Sequence, residues 1–187
     1  MRQGEILGLQ WHDLHASADA LHVERTWKDG QYNPPKTPNS LRWVEVPPTL
    51  MGELRAWQTE LRNTGASVEG HDPIFPTPSG APHTPANLMH RGWYPALKRA
   101  GVYDAKAKTG KHVKFHDLRG TIVTNLHAVG ESEAHIAQQM GHDLPTMRAA
   151  YVQPIARKRR GGVDRFASRI GETETTPHAS KQLKIVS

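Results

Sequence analysis

The chain contains no cysteine. Disulfides, thiolate metal ligands and cysteine nucleophiles are thereby excluded, and a reducing compartment fits that absence. No apolar run approaches the ~20 residues that span a bilayer, and no secretory signal is present. The reading is of a soluble chain, expected in the cytoplasm, with no membrane partner. Acidic residues are in deficit, 18 Asp and Glu against 24 Lys and Arg. They nowhere form the paired carboxylates that metal-dependent phosphate chemistry uses. Histidines number 12, yet His12-x-x-His15 has the wrong spacing for one zincin helix face and no acidic cluster accompanies it. No metal site is expected, and no internal repeat divides the chain.

What is present bounds the partner. A length of 187 residues makes one ordinary domain, or one with a small appendage. A mean hydropathy of −0.64 describes a polar domain that can still bury a core. The net charge is +6 and the pI about 9.7, before any histidine is counted as protonated. An excess of that size points to an anionic partner, of which nucleic acid is the commonest.

Taken in order, residues 2–11 read as one short helix with Ile6, Leu7 and Leu9 inward and Glu5 in its first turn. Residues 20–28 alternate Leu21, Val23, Arg25 and Trp27 against polar neighbours, the period of a strand. Asp29-Gly30 supplies a turn, and Leu41 to Val46 forms a second strand stopped by Pro47-Pro48. Three prolines between Asn33 and Pro38 forbid regular pairing, so a small antiparallel sheet is expected with Lys36 on or near a loop. A helix over 49–62 carries Leu50, Leu54, Trp57 and Leu61 on one face. Residues 65–85 read as loop around a short buried strand at Ile74-Phe75, and 87–100 as a helix kinked at Pro95. Lys106, Lys108, Lys111 and Lys114 crowd a polar loop; Arg157, Lys158, Arg159 and Arg160 form a second basic run. Both read as phosphate contacts, which supply salt-dependent affinity without sequence information. A helix is expected over 163–170, followed by a flexible tail over 171–187.

The chemistry-bearing stretch runs from Phe115 to Tyr151. Leu118, Ile122, Leu126 and Val129 form a stripe expected to dock a helix on the core, with His116 and Arg119 neighbours on another face. Gly130 ends that helix, Ser132 caps the next, and Ile136 and Met140 carry its apolar stripe until Gly141 stops it. His142 thus leaves a helix end on a turn. Thr146 is expected to cap a further short helix carrying Tyr151.

These residues, in this order, resemble the catalytic domain of the tyrosine recombinases, or phage-integrase family. The pattern consists of Arg2 in Arg2-Gln3-Gly4-Glu5, Lys36 in Pro35-Lys36-Thr37, His116-x-x-Arg119, Gly141-His142, and Tyr151 nine residues on. Taken singly each residue has a plain use, Arg119 in a surface ion pair or Tyr151 in a core; their joint order is specific. The resemblance covers residues 1–170. It implies an α+β fold of the DNA breaking-rejoining kind, mainly helical with a small antiparallel sheet. It also implies that a helix and a separate DNA-binding domain normally precede Arg2, so the chain looks like a catalytic domain cut at its front edge.

The resemblance further implies roles. Arg2 and Arg119 would bind the non-bridging oxygens of a scissile phosphate, and His142 would add a hydrogen bond to it. His116 would accept or hold the proton of Tyr151, the nucleophile, while Lys36 would protonate the departing 5′ oxygen. No cofactor is implied. The expected partners are double-stranded DNA and, through the C-terminal segment, further copies of the chain, tetrameric in the family. Two departures stand out: Gly120 occupies a position where relatives usually carry a second histidine, and Asp143-Leu144-Pro145 replaces a Ser/Thr-rich turn. Competing readings are a DNA-binding remnant that no longer cleaves and a metal-dependent nuclease, the latter opposed by the missing carboxylate pair.

Overall fold

The structure is a computed structural model that describes residues 1–35, 37–103 and 113–149. Helix α1 (Gln3–Leu7) opens the chain, followed by a 3-10 turn at Trp11–Asp13. Strands β1 (Leu14–His15), β2 (Ala20–Val23) and β5 (Arg42–Glu45) form an antiparallel sheet in the order β1-β2-β5. Its register pairs Leu14 with Leu21 and His22 with Trp43. Strands β3 (Thr26–Lys28) and β4 (Gln31–Asn33) make a separate hairpin, with Trp27 opposite Tyr32. The run expected as one strand over 20–28 is therefore two strands in two sheets. Between them, Arg25 turns toward the Asp13 and Glu24 carboxylates at 2.6 Å each, and that ion pairing breaks the run. Asp29 and Gly30 both take positive φ, 54° and 76°, the geometry of a tight hairpin turn.

Helix α2 (Pro48–Asn63) starts on Pro48, where the missing N–H is no loss. It buries Met51, Leu54 and Leu61 with Trp57 packed beside them, so the expected face holds except that Leu50 is exposed and Met51 takes its place. With Leu9, Trp11, Leu21 and Val46 these residues enclose Ile74, which is wholly buried. Ile74 lies on an irregular segment rather than a strand; its carbonyl accepts from Trp57 Nε1 at 2.7 Å and its N–H donates to Leu9 at 2.9 Å. The helical stretch from α3 (Pro85–Asn87) to α4 (Tyr94–Arg99) passes through a π-turn over Leu88–Trp93. That widening is how the helix accommodates Pro95, whose ring would otherwise meet the Arg91 carbonyl.

A second core joins α5 (Asp117–Ala128), α6 (Glu133–Met140) and α7 (Leu144–Met147) around Val123, Ile136, Ala137, Met140 and Met147. The face that α5 buries is Arg119 and Val123 with Leu126 beside them; Leu118, Ile122 and Val129 stay exposed. The expected apolar stripe is thus corrected: packing α5 on α6 turns a guanidinium inward and leaves three aliphatic side chains outside. Ser132 caps α6, as its Oγ accepts from His135 N at 3.1 Å. Asp143, not Thr146, caps α7, its Oδ1 accepting from Thr146 N at 2.7 Å. Among the described residues no helix is long and apolar enough to cross a membrane.

Candidate active site

The exit of α6 organises the site. The last carbonyls of a helix have no partner within it and carry the negative end of its dipole. Here three successive ones each accept from a different arginine. Arg42 Nε donates to Gln139 O at 3.0 Å, Arg119 Nη2 to Met140 O at 2.6 Å, and Arg2 Nη2 to Gly141 O at 3.1 Å. Gly141 takes φ +65° to end the helix, and an added Cβ there would lie 2.8 Å from Arg42 Nη1. Residues far apart in the chain are gathered on one helix end.

Glu5 lies among the guanidiniums, 1% exposed in its side chain. Its Oε2 accepts from the Arg2 backbone N–H at 2.6 Å, the capping position that three-residue spacing provides. Its Oε1 accepts from Arg2 Nη1 at 2.8 Å, and Arg42 meets both oxygens at 3.2 and 3.0 Å. Burial pushes the Glu5 carboxyl up, but the Arg42 hydrogen bonds, that of the Arg2 backbone and the Arg42 charge overcome it and hold it at about 2. Three guanidiniums against this carboxylate leave the cluster positively charged. Arg2 stays 38% exposed in its side chain, so part of that charge is offered to solvent.

His142 leaves the turn beside this cluster, and its Nε2 lies 2.9 Å from Arg119 Nη2. An arginine can only donate, so this contact assigns the ring proton to Nδ1. Burial first, then the charges of Arg119, Arg2, Arg42 and His116, lower the imidazole from 6.5 to about 4. At neutral pH the ring is uncharged and keeps one N–H. His116 stands at the N-cap of α5, exposed, its carbonyl accepting from Arg119 N at 3.0 Å. Arg2, His116, Arg119 and His142 are therefore brought together. Lys114 is exposed near the start of α5, where its N–H donates to Asp117 Oδ2 at 2.8 Å. Lys36, Tyr151, Lys106, Lys108, Lys111, Arg157, Lys158, Arg159 and Arg160 lie outside the described residues, as do the helix and tail expected after 163.

Sequence reading missed Arg42, Ser40 and the depth of Glu5. The signal for Glu5 was its place three residues after Arg2. Arg42 gave none: alternation in Leu41-Arg42-Trp43-Val44 suggests Leu41 and Trp43 as the inward set, yet these are 54% and 45% exposed. Elsewhere His12, Asp13 and Glu24 converge within 4.8 Å, but the Arg25 guanidinium already sits among them. His15 turns away to meet Trp43.

The two depressed groups set a direction for acid stability. A group with a lowered folded pKa binds its proton more readily when unfolded, so its contribution is lost as pH falls. For His142 the window runs from 6.5 down to about 4, and for Glu5 from 4.5 down to about 2. Urea unfolding should therefore show stability declining from pH 7 toward 4. His142→Gln should flatten the upper part and Glu5→Gln the lower. Parallel profiles for wild type and His142→Gln between pH 6.5 and 4.5 would contradict the assignment.

The fold agrees with comparisons to known proteins. The phage integrase family model matches residues 1–157. A XerC-like tyrosine recombinase of Caldanaerobacter subterraneus subsp. tengcongensis is 29% identical over 185 residues, 88% of this chain and 45% of that protein. The ICEBs1 integrase of Bacillus subtilis is 31% identical over 150 residues, 76% of this chain and 38% of that one. Among solved structures, the Tn1549 transposon integrase in complex with a circular intermediate DNA superposes with a TM-score of 0.61 at 21% identity, over 81% of this chain and 50% of that chain. The XerA recombinase gives 0.58 at 20%, over 79% and 45%. The fold is that of a tyrosine recombinase catalytic domain. The chain belongs to the phage integrase family, and it spans less than half the length of the curated relatives it matches.

Proposed function

We propose that this chain is the catalytic domain of a site-specific DNA recombinase, cutting and rejoining strands through a 3′-phosphotyrosyl link. The observation that carries the reading is the convergence of Arg2, Arg119 and His142 at the α6 exit, beside His116. A phosphodiester is an anion that repels nucleophiles, and a planar guanidinium meets two of its oxygens while always keeping its charge. The neutral His142, accepting from Arg119 on Nε2, steadies that guanidinium without a further charge to desolvate.

In this reading Tyr151 Oη attacks phosphorus, the bond to the 5′ oxygen breaks, and Lys36 gives that oxygen its proton. His116 takes the proton from the phenol. At pH 7 a phenol of pKa about 10 is ionised to about one part in a thousand, a deficit of about 4 kcal/mol that cationic donors and the imidazole offset. The phosphotyrosyl link conserves the bond energy, so a second 5′-hydroxyl reverses the step and joins a new strand. Duplex DNA is the substrate, the basic runs at 106–114 and 157–160 hold its backbone, and copies of the chain associate on it through the C-terminal segment. The Tn1549 integrase neighbours, which are complexes with circular intermediate DNA and with transposon right end DNA, support the choice of substrate.

The test is a duplex nicked near the cleavage point, so that the released fragment diffuses away and the covalent product accumulates. A slower band on a denaturing gel is the expected result, and Tyr151→Phe should reduce it to background with binding unchanged. Equal binding by both proteins with no band from either would identify a DNA-binding remnant and overturn the reading.

A further inference from the structure

Arg42 is buried in the cluster beside Glu5 and Arg119. Its side chain is 3% exposed, and it makes four hydrogen bonds there against three from the partly exposed Arg2 side chain. Its Nε holds Gln139 O, Nη1 holds Ser40 O at 2.9 Å and Glu5 Oε1, and Nη2 holds Glu5 Oε2. Ser40 reaches Arg2 as well, accepting from Nη1 on its Oγ at 3.1 Å, and that hydroxyl pairs with Thr37 Oγ1 at 2.9 Å. One guanidinium thus ties α1, the turn that follows residue 36, and the end of α6.

The charge arithmetic explains why a buried arginine is needed. Were Arg2 to be the sole cation against Glu5, a buried carboxylate would draw the Arg2 fork into a two-pronged pair. Arg2 is partly exposed and free to make that turn. Its charge would then be cancelled and its donors used up. With Arg42 occupying both oxygens of Glu5, Arg2 contributes Nη1 to the carboxylate and keeps the rest of its fork at the α6 exit.

We infer that Arg42 is a positioning residue: by saturating Glu5 and pinning the α6 exit, it keeps the outer edge of the Arg2 guanidinium available to an incoming phosphate. The inference rests on the recombinase reading for its consequence in catalysis, but not for its effect on Arg2. Arg42→Met removes the charge and fork at similar volume. Glu5→Gln with Arg42→Met removes the stranded carboxylate too, and so separates charge balance from mere packing.

Two measurements decide it. With nitrogen-labelled arginine, the Arg2 Nε–H resonance of the wild-type chain should shift on titration with inorganic phosphate. In Arg42→Met that response should be lost, and in the double variant it should return. On the nicked duplex, Arg42→Met should slow covalent complex formation by roughly a hundredfold while DNA affinity changes by less than about threefold, since surface phosphate contacts remain. The double variant should recover most of the rate. Should Arg42→Met fail to fold, the double variant, which leaves no unpaired buried charge, carries the test against Glu5→Gln alone. An Arg2 resonance that responds to phosphate equally with and without Arg42, or a folded double variant as slow as Arg42→Met, overturns the inference. A wild-type chain that forms no covalent complex while Arg2 still responds to phosphate, and loses that response in Arg42→Met, defeats the strand-transfer reading and leaves the inference standing.

Discussion

On the strand-transfer reading, Arg119→Ala should lower covalent complex formation by about a thousandfold or more, the loss expected when a charged donor of the reaction centre is removed. Arg119 is 2% exposed, and its Nη2 holds both Met140 O and the His142 ring. Removing it leaves the helix exit uncapped on that side and takes a donor from the imidazole. Arg119→Lys is the sharper experiment. An ammonium keeps the charge but is a point donor on a flexible stem, and cannot hold Met140 O and the His142 ring together as the planar fork does. We expect it to retain DNA affinity within about threefold yet lose roughly a hundredfold in single-turnover rate. A lysine variant with wild-type rate would show that charge alone suffices and that the fork geometry has no part in the chemistry.

That distinction bears on what the sequence could reveal. Punctuation was legible: Ser132 as a cap, Gly141 as a helix stop and Asp29-Gly30 as a turn depend on local backbone chemistry, and each occurs where it was read. The α+β character and the gathering of Arg2, His116, Arg119 and His142 followed from the ordered motif. What failed was the inward face of elements whose burial is decided by ion pairing rather than hydropathy. Helix α5 buries Arg119 in preference to Leu118 and Ile122, and β5 buries Arg42 in preference to Trp43. In both cases an arginine with several fixed acceptors displaces an aliphatic or aromatic neighbour to the surface. Periodicity weighs each residue by its own hydropathy and cannot see an acceptor contributed from a hundred residues away. The strand over 20–28 broke for the same reason, at Arg25, which turns to two carboxylates.

Gly141 is where fold and site meet, and Gly141→Ala should be the most destabilising exchange of a single methyl in the described residues. Two costs add. A non-glycine residue at φ +65° carries about 1–2 kcal/mol of left-handed strain. The new Cβ would also lie 2.8, 2.9 and 3.0 Å from Nη1, Cζ and Nε of Arg42. A flexible side chain would move aside, but this guanidinium is fixed by Glu5, Ser40 and Gln139, so relief means breaking those bonds or shifting the helix exit. Overpacking of that kind costs roughly 1–3 kcal/mol. The sum, about 2–5 kcal/mol, corresponds to a fall in Tm of roughly 5–15 °C for a chain of this size. Gly141→Asn divides the two costs, because asparagine tolerates the left-handed backbone but brings the same Cβ. If Asn is nearly as damaging as Ala, the clash with Arg42 dominates; if Asn recovers most of the loss, strain does. Function should follow in either case, since Gly141 O is an acceptor for Arg2 and His142 is the next residue. A displacement of an ångström at this turn should reduce covalent complex formation by about a hundredfold. Calorimetry showing an unchanged Tm for Gly141→Ala would mean that the α6 exit yields easily, and an exit that yields could not hold three arginines in register.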